Sequence, residues 1–168
     1  TNSISLAEMA CSIEIDQLNK PIGRQDQYIS ALGGISFLKF DKNIGVEILK
    51  LSSEKENVIR KMINSLYLIP SFLNRDADSV LGNLKNKKES FDQIKEIRSI
   101  AEDFLFCEET DEKILLERFH KSVINSWEIK KKMANVMNKE LDDKFYFINS
   151  KIPNNWIRLL GAGSGGYF

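Results

Sequence analysis

The sequence has few of the residues that build disulfide frameworks, zinc sites or histidine-based catalysis. Its 168 residues include two cysteines and one histidine. Cys11 and Cys107 lie far apart in helix-like surroundings, so we interpret them as free thiols in a reducing cytoplasm, without metal-ligand spacing. His120 has no serine, cysteine or metal-ligand partner at a suggestive spacing. The sequence therefore favours a structural or surface role for it over catalysis.

The sequence also lacks net charge and long apolar runs. Its 24 basic and 24 acidic residues cancel, so nothing in the charge balance suggests a nucleic-acid or membrane partner. No apolar run is long enough to cross a bilayer, and no signal peptide is present. With 42% hydrophobic and 29% charged residues, the composition predicts a globular, cytoplasmic protein. Because the sequence starts at Thr1 without an initiator methionine and ends on the glycine-rich loop, we expect it to be part of a longer protein.

Hydrophobic periodicity predicts a helix-rich α+β protein. Capping boxes at Ser5-x-x-Glu8 and Ser53-x-x-Glu56 predict two helix starts, and a β-hairpin is expected over 35–40 and 46–51. The most plausible domain boundary lies near residues 51–53, which suggests a division into 1–52 and 53–168. Further helices are predicted over 25–32, 76–84, 90–104, 116–137 (with a break near Ser122 left open) and 141–148, and further buried strands over 66–69 and 156–160.

The polar segment after Pro21 is the strongest candidate for chemistry. Asp26 falls in the first turn of a predicted helix, where the helix dipole favours negative charge. Arg24, Gln25 and Gln27 crowd around it, although a helix start needs only one cap. By residue type alone, an ordinary first-turn acidic residue is the more frequent case; the alternative is a carboxylate that orients a substrate hydroxyl.

Glycines dominate the last eight residues. They follow the apolar run 156–160, and their N–H groups can converge on an anion while the backbone adopts positive φ. A phosphate-binding loop is one interpretation. A flexible tail or tight turn is the other, because no Lys-Ser/Thr pair follows. The residues of this glycine segment are Gly161, Ala162, Gly163, Ser164, Gly165 and Gly166.

Three motifs resemble the sugar-kinase branch of the GHMP kinase family. Residues 22–28, Ile-Gly-Arg-Gln-Asp-Gln-Tyr, resemble the Ile-Gly-Lys/Arg-Gln-Asp-Gln-Tyr of bacterial D-glycero-D-manno-heptose 7-phosphate kinases. Residues 127–132 resemble that branch's Trp-Glu-Leu-Lys-Lys-Lys helix. Residues 159–166 resemble its Leu-Leu-Gly-Ala-Gly-Gly-Gly-Gly motif, with Ser164 in place of a glycine. The three motifs keep the family's order along the whole chain.

The resemblance implies a fold in two parts. Residues 1–52 would be the tail of a ribosomal-S5-like N-terminal kinase domain, with a helix, the loop that bears the catalytic aspartate and a hairpin. Residues 53–168 would form a helix-rich, ferredoxin-like C-terminal domain that ends in the glycine segment.

It also implies roles for single residues. Asp26 would approach the acceptor hydroxyl, and Arg24 would either balance Asp26 or reach a phosphate. Glu14 would help to hold Mg²⁺, with a solvated helical glutamate as an equal alternative. The glycine segment would fold beside the phosphate that ATP transfers. Residues expected to contact the substrate are Gly23, Gln25, Gln27 and Tyr28.

Trp127 and the three lysines after it allow two interpretations. Trp127 falls on an apolar stripe and is most simply part of the core. Lys130, Lys131 and Lys132 span nearly one helical turn, and such a charge run is usually a solvated face. The alternative is that one of them meets the distal phosphate of a substrate.

The family's ATP-binding motif, Pro-x-x-x-Gly-Leu-Gly-Ser-Ser, has no counterpart in these residues. In the family, its helix N-terminus binds the ATP phosphates. We therefore expect the chain to be part of a kinase that uses ATP and Mg²⁺ to phosphorylate the anomeric hydroxyl of D-glycero-D-manno-heptose 7-phosphate, and to be inactive alone. The alternatives are a galactokinase- or fucokinase-like sugar 1-kinase and a non-catalytic sugar- or nucleotide-binding protein; no oligomeric state is predicted.

Overall fold

The computed structural model of the chain describes residues 2–41, 43–73, 88–133, 136–152, 156–161 and 164–168. Helices predominate, and one small sheet is present among these residues, so the fold is α+β. In chain order the elements are α1 (Ser3–Cys11), a π-helix (Ser12–Gln17), α2 (Gln25–Leu32), β1 (Phe37–Asp41), β2 (Gly45–Leu49), α3 (Ser53–Asn64), α4 (Lys88–Leu105), α5 (Glu112–Lys131) and α6 (Lys139–Lys151).

The chain clusters into two compact units, Thr1–Asn57 and Val58–Phe168. The boundary between these units falls inside α3, whereas the sequence suggested a domain boundary after residue 52. No helix in the described part of the chain is both long and apolar enough to cross a membrane.

The first unit is built on the packing of α1 against α2. Ala7, Cys11 and Tyr28 are buried at this contact. Gly33 ends α2 with φ 69°, a conformation that glycine adopts without steric cost. The predicted hairpin is confirmed: β1 pairs antiparallel with β2, from Phe37 opposite Leu49 to Asp41 opposite Gly45.

Both predicted caps are misplaced, by three residues in α1 (5 − 2) and by one residue in α3 (53 − 52). Asn2 caps α1, because its side chain accepts a hydrogen bond of 2.8 Å from the Ser5 N–H. Ser52 caps α3, since its hydroxyl accepts from the Lys55 N–H at 3.4 Å. Each helix therefore starts earlier than its capping-box pattern indicates, and Glu8 is free for a contact outside α1.

The second unit has a core formed by its helices and by the extended segments near its end. Trp127, Leu141 and Leu159 are almost fully buried there. Asn138 caps α6, accepting at 2.9 Å from the N–H of Leu141. The members of this core are Trp127, Met133, Val136, Leu141, Ile157, Leu159 and Phe168.

Several predictions for the second unit change. Helix α5 continues through Ser122, whose hydroxyl bonds to the Arg118 carbonyl at 2.9 Å, and it ends at Lys131 rather than near 137. Residues 66–69 were expected to be a buried strand, but Leu66, Tyr67 and Leu68 are exposed. The helix predicted over 76–84 lies outside the described residues.

Candidate functional site

Helices α1 and α2, with the π-helix between them, form a cavity of about 400 Å³ in the first unit. It holds two of the carboxylates singled out from the sequence, Glu14 and Asp26. Apolar side chains and two neutral polar ones complete its walls. The full lining is Leu6, Ala10, Glu14, Ile22, Asp26, Gln27, Ser30 and Ala31.

The two carboxylates reach the cavity from different elements. Asp26 is the second residue of α2 and is exposed. Its position in the first turn places it near the unpaired N–H groups of a helix start, a favourable setting for an anion. Glu14 is half-buried and lies in the π-helix. The cavity therefore brings together two acidic side chains that are twelve residues apart in the sequence (26 − 14).

Glu14 lies in a π-helix, whose turns are wider than those of an α-helix. The hydrogen bond typical of a π-helix is formed by the Leu18 N–H, which donates to the Ile13 carbonyl five residues earlier at 3.0 Å. The Glu14 carbonyl in turn accepts from the Lys20 N–H at 2.9 Å. Such π-turns are rare and are found frequently at functional sites. The sequence pattern predicted an ordinary helix here, because a single wide turn leaves no mark in hydrophobic periodicity.

Gln27 is the one neutral amide in the cavity wall, and it is 7% exposed. Its Oε1 is buried and has no hydrogen-bond partner among the residues described. Leaving a buried polar atom without a partner costs about 1–3 kcal/mol. Gln27 is therefore a feature of the site that packing within this chain does not account for.

Arg24 takes a partner that neither interpretation of the sequence included. Its guanidinium forms an ion pair with Glu8 and lies 5.9 Å from the ring centre of Tyr28. The Tyr28 hydroxyl donates to the same Glu8 carboxylate, and the Tyr28 ring meets Phe40 edge-on at 5.9 Å. Glu8 thus ties the start of α2 to α1, which sequence reasoning missed because it placed Glu8 in a capping box.

Gly23 and Gln25 lie beside each other at the start of α2. A Cβ added at Gly23 would collide with Oε1 of Gln25, so the Gln25 side chain lies over the Gly23 backbone. Both residues are exposed, and neither lines the cavity. The sequence-based prediction that they contact a substrate remains a prediction.

Part of the glycine segment is described in the second unit. Gly161, Ser164, Gly165 and Gly166 all have positive φ, with Ser164 at 57°; Ala162 and Gly163 lie outside the described residues. The Ser164 N–H donates to the Val136 carbonyl at 3.0 Å. That N–H is therefore already engaged and does not point to an open anion site.

The residues of the Trp127 motif have separate surroundings. Trp127 is buried in the core, as predicted. Lys130 donates to the Gly161 carbonyl, which joins α5 to the glycine segment. Lys131 pairs with Glu128 at 2.7 Å and lies over the Phe145 ring, and Lys132 is exposed.

His120 lies against Trp156, with ring centres 5.6 Å apart. Its Nε2 is buried and has no hydrogen-bond partner among the residues described. The ring contact supports the structural role that the sequence favoured for His120.

The acidic residues of the cavity suit a magnesium ion only in part. Among the described residues, no group of three or more histidine, cysteine or acidic side chains could hold a metal ion. However, Mg²⁺ is usually bound through one or two carboxylates, with water and substrate phosphates supplying the other ligands. The cavity contributes two such carboxylates, Glu14 and Asp26.

Comparison of the chain with protein-family models, with curated proteins and with solved structures gives no match. The site is therefore interpreted from its own residues and geometry.

Proposed function

We propose that this chain is part of an ATP-dependent sugar kinase of the GHMP type. Its reaction transfers the γ-phosphoryl group of ATP to the anomeric hydroxyl of D-glycero-D-manno-heptose 7-phosphate. The observation that carries the proposal is the cavity that Glu14 and Asp26 share between α1 and α2. In this proposal, residues 1–52 belong to a ribosomal-S5-like kinase domain and residues 53–168 to a ferredoxin-like domain.

Asp26 orients the acceptor hydroxyl. Phosphoryl transfer passes through a loose transition state, so positioning contributes more than early proton abstraction. A carboxylate exposed to the cavity can accept the hydroxyl's hydrogen bond and take its proton as the new O–P bond forms. The anomeric hydroxyl is more acidic than an ordinary alcohol, which eases this transfer.

The remaining residues of the cavity hold the substrates near Asp26. Glu14 supplies an oxygen ligand for the Mg²⁺ that accompanies ATP. Gln27 offers a buried amide oxygen that a hydroxyl donor can satisfy. ATP would give up its γ-phosphoryl group and leave as ADP, and the Mg²⁺ held at Glu14 would offset negative charge on the phosphates.

The test measures ADP release by the product of the complete reading frame that encodes this chain. The heptose 7-phosphate, galactose and fucose are offered separately. Asp26→Asn removes the negative charge but keeps the shape of the side chain. Asp16→Asn is the matched control, because Asp16 is exposed and does not line the cavity.

We expect turnover with the heptose phosphate that falls by about 10²–10⁴-fold in Asp26→Asn and stays near the parent value in Asp16→Asn. Turnover with another sugar alone would replace the heptose assignment with a galactokinase- or fucokinase-like one. Binding of ATP or sugar without any turnover would refute the kinase proposal in favour of a non-catalytic binding protein.

A further inference from the structure

A separate cavity, of about 470 Å³, lies between α4 and α5 in the second unit. The two helices are joined by residues 106–111 and pack against each other. All of the residues that line the cavity belong to these two helices, so none belongs to the site proposed for phosphoryl transfer. The volume lies within the range of small-molecule sites, which is about 300–1,000 Å³.

One part of the cavity wall is apolar and aromatic. Phe104 is buried and lines the cavity, and its ring lies against that of Phe119 with centres 5.1 Å apart. Ile100 and Ile114 line the cavity beside it, one from each helix. An aromatic ring bound here would extend the contact of Phe104 with Phe119, since aromatic rings favour offset or tilted arrangements.

Polar groups of α5 follow one face of the helix into the same cavity. Positions 118, 121, 122 and 125 are spaced i, i+3, i+4 and i+7, which places them side by side, and all four line the cavity. The Ser122 hydroxyl already donates to the Arg118 carbonyl at 2.9 Å. The donors available to an anion are therefore the Arg118 guanidinium, the Lys121 ammonium group and the Asn125 amide. The forked N–H groups of arginine match the two oxygens of a carboxylate.

Two carboxylates line this cavity as well, Asp103 on α4 and Glu117 on α5. Neither forms an ion pair or a side-chain hydrogen bond with the residues that the structure describes, and the same holds for the side chains of Arg118 and Lys121. All four side chains belong to exposed residues. A ligand with a single charge would be attracted by two of these groups and repelled by the other two. A zwitterion would match both pairs.

The acidic and basic groups lie close to one another. Asp103 and Arg118 line this cavity together, and they also line a neighbouring cavity together. Such closeness of opposite charges suits a ligand that carries its cation and its anion on one carbon atom. The apolar wall at Phe104 then lies beside the charged groups, where the side chain of that ligand would be placed.

We infer that the cavity between α4 and α5 binds a free α-amino acid with an aromatic side chain. The carboxylate of the amino acid lies against Arg118 and Lys121. Its ammonium group lies against Asp103, and its ring packs on Phe104. This inference is independent of the proposed kinase activity.

The test is isothermal titration calorimetry of the product of the complete reading frame with L-phenylalanine. Three related compounds each lack one recognised group: N-acetyl-L-phenylalanine lacks the cation, L-phenylalaninamide lacks the carboxylate, and glycine lacks the ring. We expect a Kd of about 1 mM for L-phenylalanine, because a ligand of this size in an open cavity gains little more than it loses in freedom. Each of the three compounds should bind about fivefold more weakly or worse.

Variants place the binding in this cavity. Arg118→Gln and Asp103→Asn should each weaken the binding of L-phenylalanine by about fivefold or more. The matched controls are Arg98→Gln and Asp92→Asn, which remove the same charges from α4 outside the cavity and should bind like the parent. Urea unfolding of all four variants shows whether a weaker affinity reflects the site or the stability of the fold.

Three outcomes would overturn the inference. The first is the absence of binding by L-phenylalanine at millimolar concentrations. The second is equal binding by the N-acetyl compound or the amide, which would show that the paired charges are not recognised. The third is binding that survives both Arg118→Gln and Asp103→Asn, since the amino acid would then be bound elsewhere.

Discussion

At the residue scale, the sequence singled out Glu14 and Asp26, which line the cavity, but it did not indicate the contacts that Glu8 makes with the start of α2. Asp26 was predictable because a loop and a helix start bracket it within a few residues. Glu8 was not, because its partners Arg24 and Tyr28 lie sixteen and twenty residues away, and single-sequence patterns report only near neighbours. The π-turn that contains Glu14 was missed for a related reason, since it is set by packing rather than by residue type.

Glu8 should stabilise the first unit mainly through Tyr28. The exposed fractions of the Arg24 and Glu8 side chains are 39% and 45%, so water screens their ion pair and its contribution is about 1 kcal/mol or less. The Tyr28 hydroxyl belongs to a residue that is 2% exposed, and the loss of its acceptor costs about 1–3 kcal/mol. We expect Glu8→Ala to lower the free energy of unfolding by about 2 kcal/mol and Glu8→Gln by less.

Urea unfolding of the single and double variants checks this prediction. In a Tyr28→Phe background the hydroxyl is absent, so Glu8→Ala should then cost about 1 kcal/mol or less. An undiminished cost in that background would show that the Tyr28 hydroxyl does not depend on Glu8. Glu47→Ala is a useful reference, because Glu47 forms an exposed ion pair with Lys39 at 3.6 Å.

At the element scale, amphipathic periodicity predicted most of the described helices and strands. Capping motifs and turn residues were less successful in predicting where these elements begin and end. The hairpin and α2 lie close to their predicted places because turn residues or a proline lie beside their ends, and α3 begins where its serine pair predicted. Capping boxes were less reliable, since Asn2 and Ser52 cap just outside the predicted pairs. Residues 66–69 show a different failure: their apolar composition suggests burial, but only packing decides whether an apolar strand is covered.

The start of α6 offers a test of capping energy. The Asn138 side chain accepts from the Leu141 N–H at 2.9 Å, and Leu141 is fully buried in the core of the second unit. Replacing such a cap by alanine costs about 1 kcal/mol. We expect this loss for Asn138→Ala and almost none for Asn138→Asp, which keeps the acceptor.

Equilibrium unfolding monitored by tryptophan fluorescence measures the effect of the Asn138 variants, because Trp127 lies in the same core as Leu141. A loss of equal size in Asn138→Asp would mean that the amide, rather than its capping oxygen, stabilises the helix.

At the scale of the whole molecule, the α+β class and the absence of net charge were accessible from composition and pattern. The boundary between the two compact units falls inside α3, where no proline or glycine near Asn57 marks it in the sequence. The sequence could not reveal the pairing of residues 69 and 168, whose backbones exchange two hydrogen bonds. That pairing crosses ninety-nine positions (168 − 69), far beyond the reach of local patterns.

The kinase proposal predicts that these 168 residues, assayed alone, do not turn over ATP. Phosphoryl transfer depends on a γ-phosphate held in line with the acceptor, and a motif that anchors the ATP phosphates is missing from these residues. In the glycine segment, the Ser164 N–H is already bonded to the Val136 carbonyl. ADP release by this chain with the heptose phosphate should therefore match that of its Asp26→Asn variant. The product of the complete reading frame, assayed in parallel, is the positive control. Turnover by the 168 residues that Asp26→Asn abolishes would show that the phosphate anchor lies within this chain.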